Sequence, residues 1–317
     1  MCFGIIMRFG KKRVKRASSS DTFNSDDQVD GGEDFVEDRW TNQVSDKGVA
    51  GLQAEFKTIE CADPRATDDD TPNKCHVSME HTNGAYPYYN ANRIKIGKKS
   101  PEFICASQPT SETAAAFWAM VANGDYTIYA FNDCFYPTEE NKMLTFGETP
   151  NLIKVTYKSH VDDDWGWGPN IHAAIVIVES PFGPPKEVVI REFDDFAIER
   201  VDRGPNYTSS LPSAHAYIGS EKTKTILIVS NDAGYSTMLP MYKYVMDCYW
   251  DKKDPMPMAD LVKKIRQRRP GAIGTEAQYL FLHDKLMQIN AYSVNYDKWK
   301  EDYAKYEPKM NTTFKNL

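Results

Sequence analysis

Residues 225–249 read TILIVSNDAGYSTMLPMYKYVMDCY and contain a strand signal, a turn signal and a helix signal in direct succession. The run 225–229 is short and apolar, as expected of a buried strand. The polar turn 230–237 follows it and is rich in Ser, Asn, Asp and Gly. Apolar side chains then recur at helical spacing, at Tyr242, Val245, Met246 and Tyr249. This order predicts a strand whose end leads through a turn directly into a helix, a unit typical of α/β folds.

Pro240 constrains where that helix begins. Proline carries no N–H and is tolerated in the first turn of a helix, where that N–H has no partner in the helix. We therefore expect the helix to start near Ser236 or Thr237.

The remainder of the chain mixes strand and helix patterns. Strands are predicted over 127–131, 152–157, 173–178 and 186–190. Helices are predicted around Leu52, Phe56 and Ile59, over 261–268 up to Pro270-Gly271, and from Thr275, where Thr-Glu-Ala-Gln forms a capping box with Gln278. We expect one α/β domain over residues 36–300, preceded by a disordered basic, Ser-rich and acidic tail over 1–35. A polar C-terminal tail is expected over 301–317.

Composition excludes several classes of protein. The net charge of −7 argues against a general nucleic-acid binder. The six cysteines lie far apart without a C-x-x-C pair, which favours reduced, packed thiols over a disulfide framework or a zinc site. The six histidines show no ligand spacing, so no metal and no cofactor are predicted. No run is long enough to span a bilayer, and we expect a cytoplasmic protein.

A basic cluster near the N-terminus leaves three interpretations open. It consists of Lys11, Lys12, Arg13, Lys15 and Arg16. Such a cluster can act as a nuclear import signal, or as a membrane-surface patch helped by acylation of Cys2. A solvated tail without a targeting role is the interpretation that we prefer, because short basic runs are common.

Several segments, in order along the chain, resemble the protein-tyrosine-phosphatase family. Residues 89–94, YNANRI, are similar to the family's Y-I-N-A-N-Y-I strand. Residues 103–109, FICASQP, and 117–121, FWAMV, resemble Y-I-A-T-Q-G-P followed by F-W-x-M-V. Residues 268–279, RRPGAIGTEAQY, resemble S-Q-R-P-G-M-V-Q-T-E-x-Q-Y. The resemblance implies a single phosphatase-like α/β domain with a central twisted mixed sheet flanked by helices.

The family's chemistry resides in a strand–loop–helix turn of the form H-C-S-A-G-x-G-R-T-G. Its backbone N–H groups cradle a phosphate, its cysteine attacks as a thiolate, and its arginine holds two phosphate oxygens. The matching positions here are Ser230, Asn231, Asp232, Ala233, Gly234, Tyr235, Ser236 and Thr237. Asn231 stands at the nucleophile and Thr237 at the arginine.

These replacements imply that the turn has lost its chemistry. An amide nitrogen cannot form a phospho-intermediate, and a threonine hydroxyl carries no charge with which to clamp phosphate. Asp232 adds a negative charge that disfavours a dianion in the cradle. We interpret Asn231, Asp232, Ser236 and Thr237 as ordinary turn and cap residues rather than as a new catalytic set.

Three further family segments are also altered. The general-acid loop W-P-D corresponds to Arg200, Val201 and Asp202, which keeps the aspartate but not the tryptophan. The recognition segment K-N-R-Y resembles 72–75, so that Asn73 and Lys74 precede Cys75 at the ring-stacking tyrosine. The water-positioning glutamine corresponds to Gly274, whereas the second glutamine is kept as Gln278.

The resemblance and its losses together predict a pseudophosphatase. We expect no functional catalytic residue and an action through protein binding, as a scaffold or regulator of tyrosine-phosphorylation signalling. The partner is an unknown protein, with a tyrosine-containing segment as one candidate ligand of the cleft. The alternative is a tyrosine phosphatase with residual dephosphorylation activity.

Overall fold

The computed structural model describes residues 36–59, 75–97, 100–131, 135–140, 142–161, 171–193, 210–219, 221, 225–231, 233–288 and 294–314. Its strands are β1 Ala91–Ile94, β2 Glu102–Ser107, β3 Tyr126–Phe131, β4 Met143–Phe146, β5 Ile153–His160, β6 Ile171–Ser180, β7 Gly183–Phe193 and β8 Thr225–Ser230. Its helices are α1 Val36–Thr58, α2 Ala114–Asn123, α3 Ser210–Ile218, α4 Ala233–Trp250, α5 Met258–Arg266, α6 Glu276–Met287 and α7 Val294–Phe314.

The eight strands form one mixed sheet in the order β1-β2-β8-β3-β7-β6-β5-β4. The four strands β2, β8, β3 and β7 pair in parallel, and the flanking pairs are antiparallel. Each strand predicted from the sequence is present, and so is the mixed α/β architecture. Ser107, Ser230 and Phe131 lie side by side at the carboxyl ends of their strands, so these three strand ends lie at one edge of the sheet.

Helices cover both faces of the sheet. Side chains alternate along β8, so Ile226 and Ile228 pack in the core beneath α1 and α3–α7, whereas Leu227 and Val229 pack beneath α2. All four are essentially inaccessible to solvent. A strand buried on both faces needs a continuous apolar sequence, which is the pattern that 225–229 shows.

Helix α4 begins at Ala233, and Pro240 lies in its interior. The predicted start near Ser236 or Thr237 is therefore wrong. Pro240 has no N–H to donate to the carbonyl of Ser236, four residues earlier. The thiol of Cys105 on β2 donates to that carbonyl at 3.0 Å, so the helix can run through the proline without leaving the oxygen unsatisfied.

Helix α7 occupies most of the stretch that was expected as a polar tail. Residues 301–314 continue the helix, and Trp299 and Tyr303 are buried in the core cluster. Asp302 accepts the backbone N–H of Val49 at 2.9 Å. That N–H follows Gly48, where α1 is interrupted at φ 61°, so the carboxylate caps the second half of α1. Among the described helices, none combines the length and hydropathy that a membrane span requires.

Candidate functional site

The candidate site is the turn between β8 and α4, at the carboxyl edge of the parallel strands. Ser230 ends β8, is 1% exposed, and accepts the backbone N–H of Gln108 at 3.0 Å. Asn231 follows in a bend and is exposed at this edge. Ala233 is the first residue of α4. Asn231 therefore lies in a strand–helix turn, as the sequence predicts, whereas Asp232 lies outside the described residues.

Thr237 is engaged within the helix. Its hydroxyl donates to the backbone carbonyl of Gly234 at 2.7 Å, and the residue is fully buried. A hydroxyl bonded one turn back along its own helix serves the backbone rather than a ligand. The position thus carries neither a positive charge nor a side chain that extends toward the edge of the sheet.

Gly234 allows Gln278 to pack directly against the beginning of α4. A methyl group on Gly234 would lie 2.5 Å from Cδ and 2.6 Å from Nε2 of Gln278, which is closer than non-bonded atoms approach. Gln278 is 1% exposed and forms the predicted capping box with Thr275, through bonds of 3.2 and 3.3 Å. The amide of Gln278 therefore caps α6 and touches the beginning of α4 at the same time.

The thiol of Cys105 contacts the beginning of α4. Cys105 is fully buried and donates to the carbonyl of Ser236. Burial raises the pKa of the Cys105 thiol to about 12, against the smaller lowering effects of Arg269 and the hydrogen bond to Ser236. A thiol that stays protonated is a poor nucleophile. Tyr235, next to Ser236, is half-buried against the helical core.

Arg269 hydrogen-bonds to strands β1 and β2 next to the site, a role that the sequence did not reveal. It is 1% exposed and lies in the loop between α5 and α6. Its guanidinium donates to Asn92 Oδ1 at 2.6 Å, to the Cys105 carbonyl at 2.8 Å and to Asn90 Oδ1 at 3.1 Å. The only signal was its place in the R-P-G motif, next to a proline that restricts the residue before it.

The same loop is held in a strained conformation. Ile273 has φ 48°, a left-handed value that a β-branched residue rarely adopts. Arg266 donates to the carbonyls of Ala272 at 2.9 Å and Ile273 at 2.6 Å, which keeps the loop closed. Gly274 follows and is exposed, so the position matched to the water-positioning glutamine presents no side chain.

The other predicted site residues are only partly described. Cys75 is 3% exposed and its side chain is buried. A buried thiol offers no flat aromatic surface. The remaining members, Asn73, Lys74, Arg200, Val201 and Asp202, lie outside the described residues. Within the described ranges no group of three or more His, Cys, Asp or Glu side chains is placed to hold a metal ion.

A family model described as protein-tyrosine phosphatase matches residues 64–164 and 200–288, which together exceed half of the chain. The chain belongs to the protein-tyrosine phosphatase family. The second matched stretch contains residues 230–237, the loop before α6 and Gln278. No curated protein matches the chain significantly by sequence.

Solved tyrosine phosphatases share this fold. The protein tyrosine phosphatase TbPTP1 of Trypanosoma brucei aligns with a TM-score of 0.63 at 16% identity, over 84% of this chain and 99% of that chain. The protein tyrosine phosphatase TcPTP1 of Trypanosoma cruzi aligns with a TM-score of 0.60 at 15% identity, over 79% of this chain and 94% of that chain. The catalytic domain of the human protein tyrosine phosphatase non-receptor type 18 aligns with a TM-score of 0.57 at 19% identity, over 76% of this chain and 96% of that chain. At these identities the similarity concerns the fold.

Proposed function

We propose that this member of the phosphatase family is catalytically inactive and acts by binding another protein. The observation that carries the proposal is that the Thr237 hydroxyl is buried and already hydrogen-bonded within its own helix. At the position matched to the phosphate-clamping arginine, a fully buried hydroxyl is bonded to the carbonyl of Gly234. Asn231 at the position matched to the nucleophile supports the same conclusion.

Catalysis by this family's route needs a thiolate and a bidentate cation in one turn. Asn231 supplies an amide, whose nitrogen is delocalised into the carbonyl and cannot hold a phosphoryl group. Thr237 supplies a neutral hydroxyl. Cys105 does not replace the missing thiolate, because burial keeps it protonated and its hydrogen goes to Ser236.

The same substitutions determine what the cleft can bind. Each missing charge-assisted contact to phosphate is worth about 1.5–3 kcal/mol, so phosphotyrosine is expected to bind at millimolar affinity or worse. Asn231 is exposed and offers both a donor and an acceptor without charge. A neutral, hydrogen-bonding segment of a partner protein, such as one with an unphosphorylated tyrosine, suits this edge better. The protein then serves as a scaffold or regulator in tyrosine-phosphorylation signalling.

Turnover separates this proposal from the alternative of a residually active phosphatase. The purified chain is incubated with para-nitrophenyl phosphate and with phosphotyrosine peptides, and release of phosphate is measured. We expect no release above buffer. Release that disappears in an Asp202→Ala variant would establish a working general acid and overturn the proposal. Calorimetry with matched phosphorylated and unphosphorylated peptides then tests whether phosphate contributes to binding.

The binding face is tested with two matched variants. Asn231→Trp places a bulky side chain at the carboxyl edge of the sheet, where Asn231 is exposed. Asn123→Trp does the same at the opposite edge, because exposed Asn123 ends α2 just before β3 begins. Partners are captured from native cells and identified by mass spectrometry. We expect Asn231→Trp alone to lose them, whereas equal retention by both variants would place binding on another face.

The site of action is proposed to be the cytoplasm. The basic cluster that bears on this proposal lies outside the described residues. Deletion of residues 1–35 followed by imaging tests whether they direct the protein to the nucleus or to a membrane. An unchanged distribution is the expected result for a tail without a targeting role.

A further inference from the structure

Three helices meet at the carboxylate of Glu276. Gln53 on α1 donates its side-chain amide to Glu276 Oε1 at 2.5 Å. Tyr306 on α7 donates its hydroxyl to the same oxygen at 3.0 Å. Glu276 is the first residue of α6, two positions before Gln278. The junction therefore joins α7 to the end of α6 that packs against Gly234 at the beginning of α4.

Tyr306 is the last inward contact that the structure describes on α7. Trp299, Asp302 and Tyr303 precede it at the spacing of one helix face, and each contacts the rest of the domain. Tyr306 itself is only partly buried, in contrast to Tyr303 at 7% exposure. Burial and the neighbouring Glu276 raise the pKa of the Tyr306 phenol to about 12, so it remains a hydrogen-bond donor at neutral pH.

The helix is intrinsically weak just after Tyr306. Pro308 lies two residues further on and has no N–H to donate to the carbonyl of Ala304. Proline also disfavours helical backbone at the residue before it, Glu307. Opening the helix from this point costs fewer backbone hydrogen bonds than opening it anywhere nearer Trp299. The segment around Tyr306 is thus the part of α7 that most readily takes up the extended form in which a modifying enzyme can bind it.

We propose that Tyr306 is a phosphorylation site through which a protein tyrosine kinase releases the end of α7. The kinase and a nucleoside triphosphate are supplied in trans. The Tyr306 phenolic oxygen attacks the γ-phosphorus, the bond from that phosphorus to the β,γ-bridging oxygen breaks, and the nucleoside diphosphate leaves with the oxygen. The phenolic proton passes to a base of the kinase.

The product cannot keep the junction with Glu276. Phosphorylation removes the donated hydrogen and puts a dianion beside the Glu276 carboxylate and one helical turn from Asp302. Like charges in this partly buried place repel, and the phosphate also loses hydration there. The end of α7 is therefore expelled, and Glu276 loses the hydrogen bond from Tyr306.

Amide hydrogen exchange on the full chain tests the proposal without any binding partner. The chain is treated with a broad-specificity tyrosine kinase domain and ATP, and the modified tyrosine is located by mass spectrometry. We expect Tyr306 to be modified and the buried Tyr303 to be spared. Exchange over the last turns of α7 should then be about tenfold faster than in the unmodified chain. Equal modification of both tyrosines, or unchanged exchange after modification of Tyr306, would overturn the proposal.

Two variants separate charge from loss of the hydroxyl. Tyr306→Phe removes the hydrogen bond without adding charge, so its exchange should be only about two- to threefold faster than in the unmodified chain, as expected for a partly exposed hydrogen bond. Glu276→Gln keeps an acceptor and removes the repelling charge. In the Glu276→Gln background, phosphorylation should accelerate exchange less than in the parent chain. An equally large acceleration there would show that repulsion from Glu276 is not the cause and would overturn the mechanism.

Discussion

The thiol of Cys105 lies 3.0 Å from the carbonyl oxygen of Ser236 and donates a hydrogen bond to it. Ser236 is the residue whose carbonyl would accept the N–H of position 240 in an uninterrupted helix, and position 240 is proline. Strand β2 thereby supplies the donor that α4 lacks. The contact joins residues 131 positions apart and satisfies a carbonyl that Pro240 leaves without a donor inside α4.

Because of this contact, we expect the loss of stability caused by removing the Cys105 thiol to depend on whether residue 240 is proline. Cys105→Ala should lower the free energy of unfolding by about 1–3 kcal/mol, because a buried carbonyl loses its donor. In a Pro240→Ala background the cost should be smaller, since the substituted alanine provides a backbone N–H for the same carbonyl. Urea unfolding of the four proteins in this cycle measures the coupling. Strictly additive effects would contradict the role assigned to Cys105.

A second coupling is expected between Gly234 and Gln278. Gly234→Ala should destabilise the fold by about 1–3 kcal/mol, because its methyl group displaces the buried amide and disrupts the capping box. Gln278→Ala removes the side chain that this methyl group would displace, but it also removes the capping box of α6. In the double variant, Gly234→Ala should add little to the cost of Gln278→Ala. Thermal or urea unfolding checks this, and a full additional penalty would show that the clash lies elsewhere.

Buried His283 should make the fold sensitive to mild acid. Its Nδ1 donates to the Tyr279 carbonyl at 2.8 Å, and burial, the largest influence, lowers its pKa from 6.5 to about 4. Below pH 6.5 the unfolded chain binds a proton that the folded chain does not, so stability falls as pH falls from 6.5 toward 4. The slope is about 1.4 kcal/mol per pH unit for each such histidine.

His215 provides the comparison for this titration. Its pKa is also lowered to about 4, chiefly by burial and then by Lys243. A His283→Gln variant should therefore keep about half of the slope between pH 6.5 and 4, measured by urea unfolding at several pH values. A slope that does not change in His283→Gln would mean that His283 is not the proton-linked group.

Introducing the family's cysteine at position 231 and its arginine at position 237 should not produce phosphatase activity. In Asn231→Cys with Thr237→Arg, the arginine starts from a fully buried position whose side chain now contacts Gly234. Gly274 leaves no amide to position water, and Cys75 leaves no ring to stack on phosphotyrosine, a contact worth on the order of 1 kcal/mol. A misplacement of about 1 Å in the reacting groups costs roughly a hundredfold in rate.

The expected result for this double variant is a rate close to buffer with para-nitrophenyl phosphate. A slowly formed phospho-cysteine, visible by mass spectrometry, is the trace of activity that we expect. The single variant Asn231→Cys serves as the control and should accumulate less phospho-cysteine than the double variant. Multiple turnover at the rate of an active family member would show that the rest of the cleft is intact, and would favour phosphotyrosine recognition as the function.

The sequence by itself determined the β8–turn–α4 unit, the other predicted strands and the capping box at Thr275. These features follow from periodicity and from short motifs, because alternation along a strand and capping of a helix depend on residues that are near each other in the chain. Asn231 is correctly predicted in the turn for the same reason, whereas Thr237, predicted to end the turn, lies inside α4.

Only the tertiary structure decided where α4 begins, how Gln278 meets Gly234, and what the end of the chain does. Inside α4 a thiol from another strand hydrogen-bonds to the carbonyl of Ser236, and the buried Arg269 bonds to Asn92 across 177 positions. Helix α7 looks polar in sequence because a single inward face, with Trp299, Tyr303 and Tyr306, packs on the domain. Such contacts join residues far apart in the chain, so no pattern within one segment reports them.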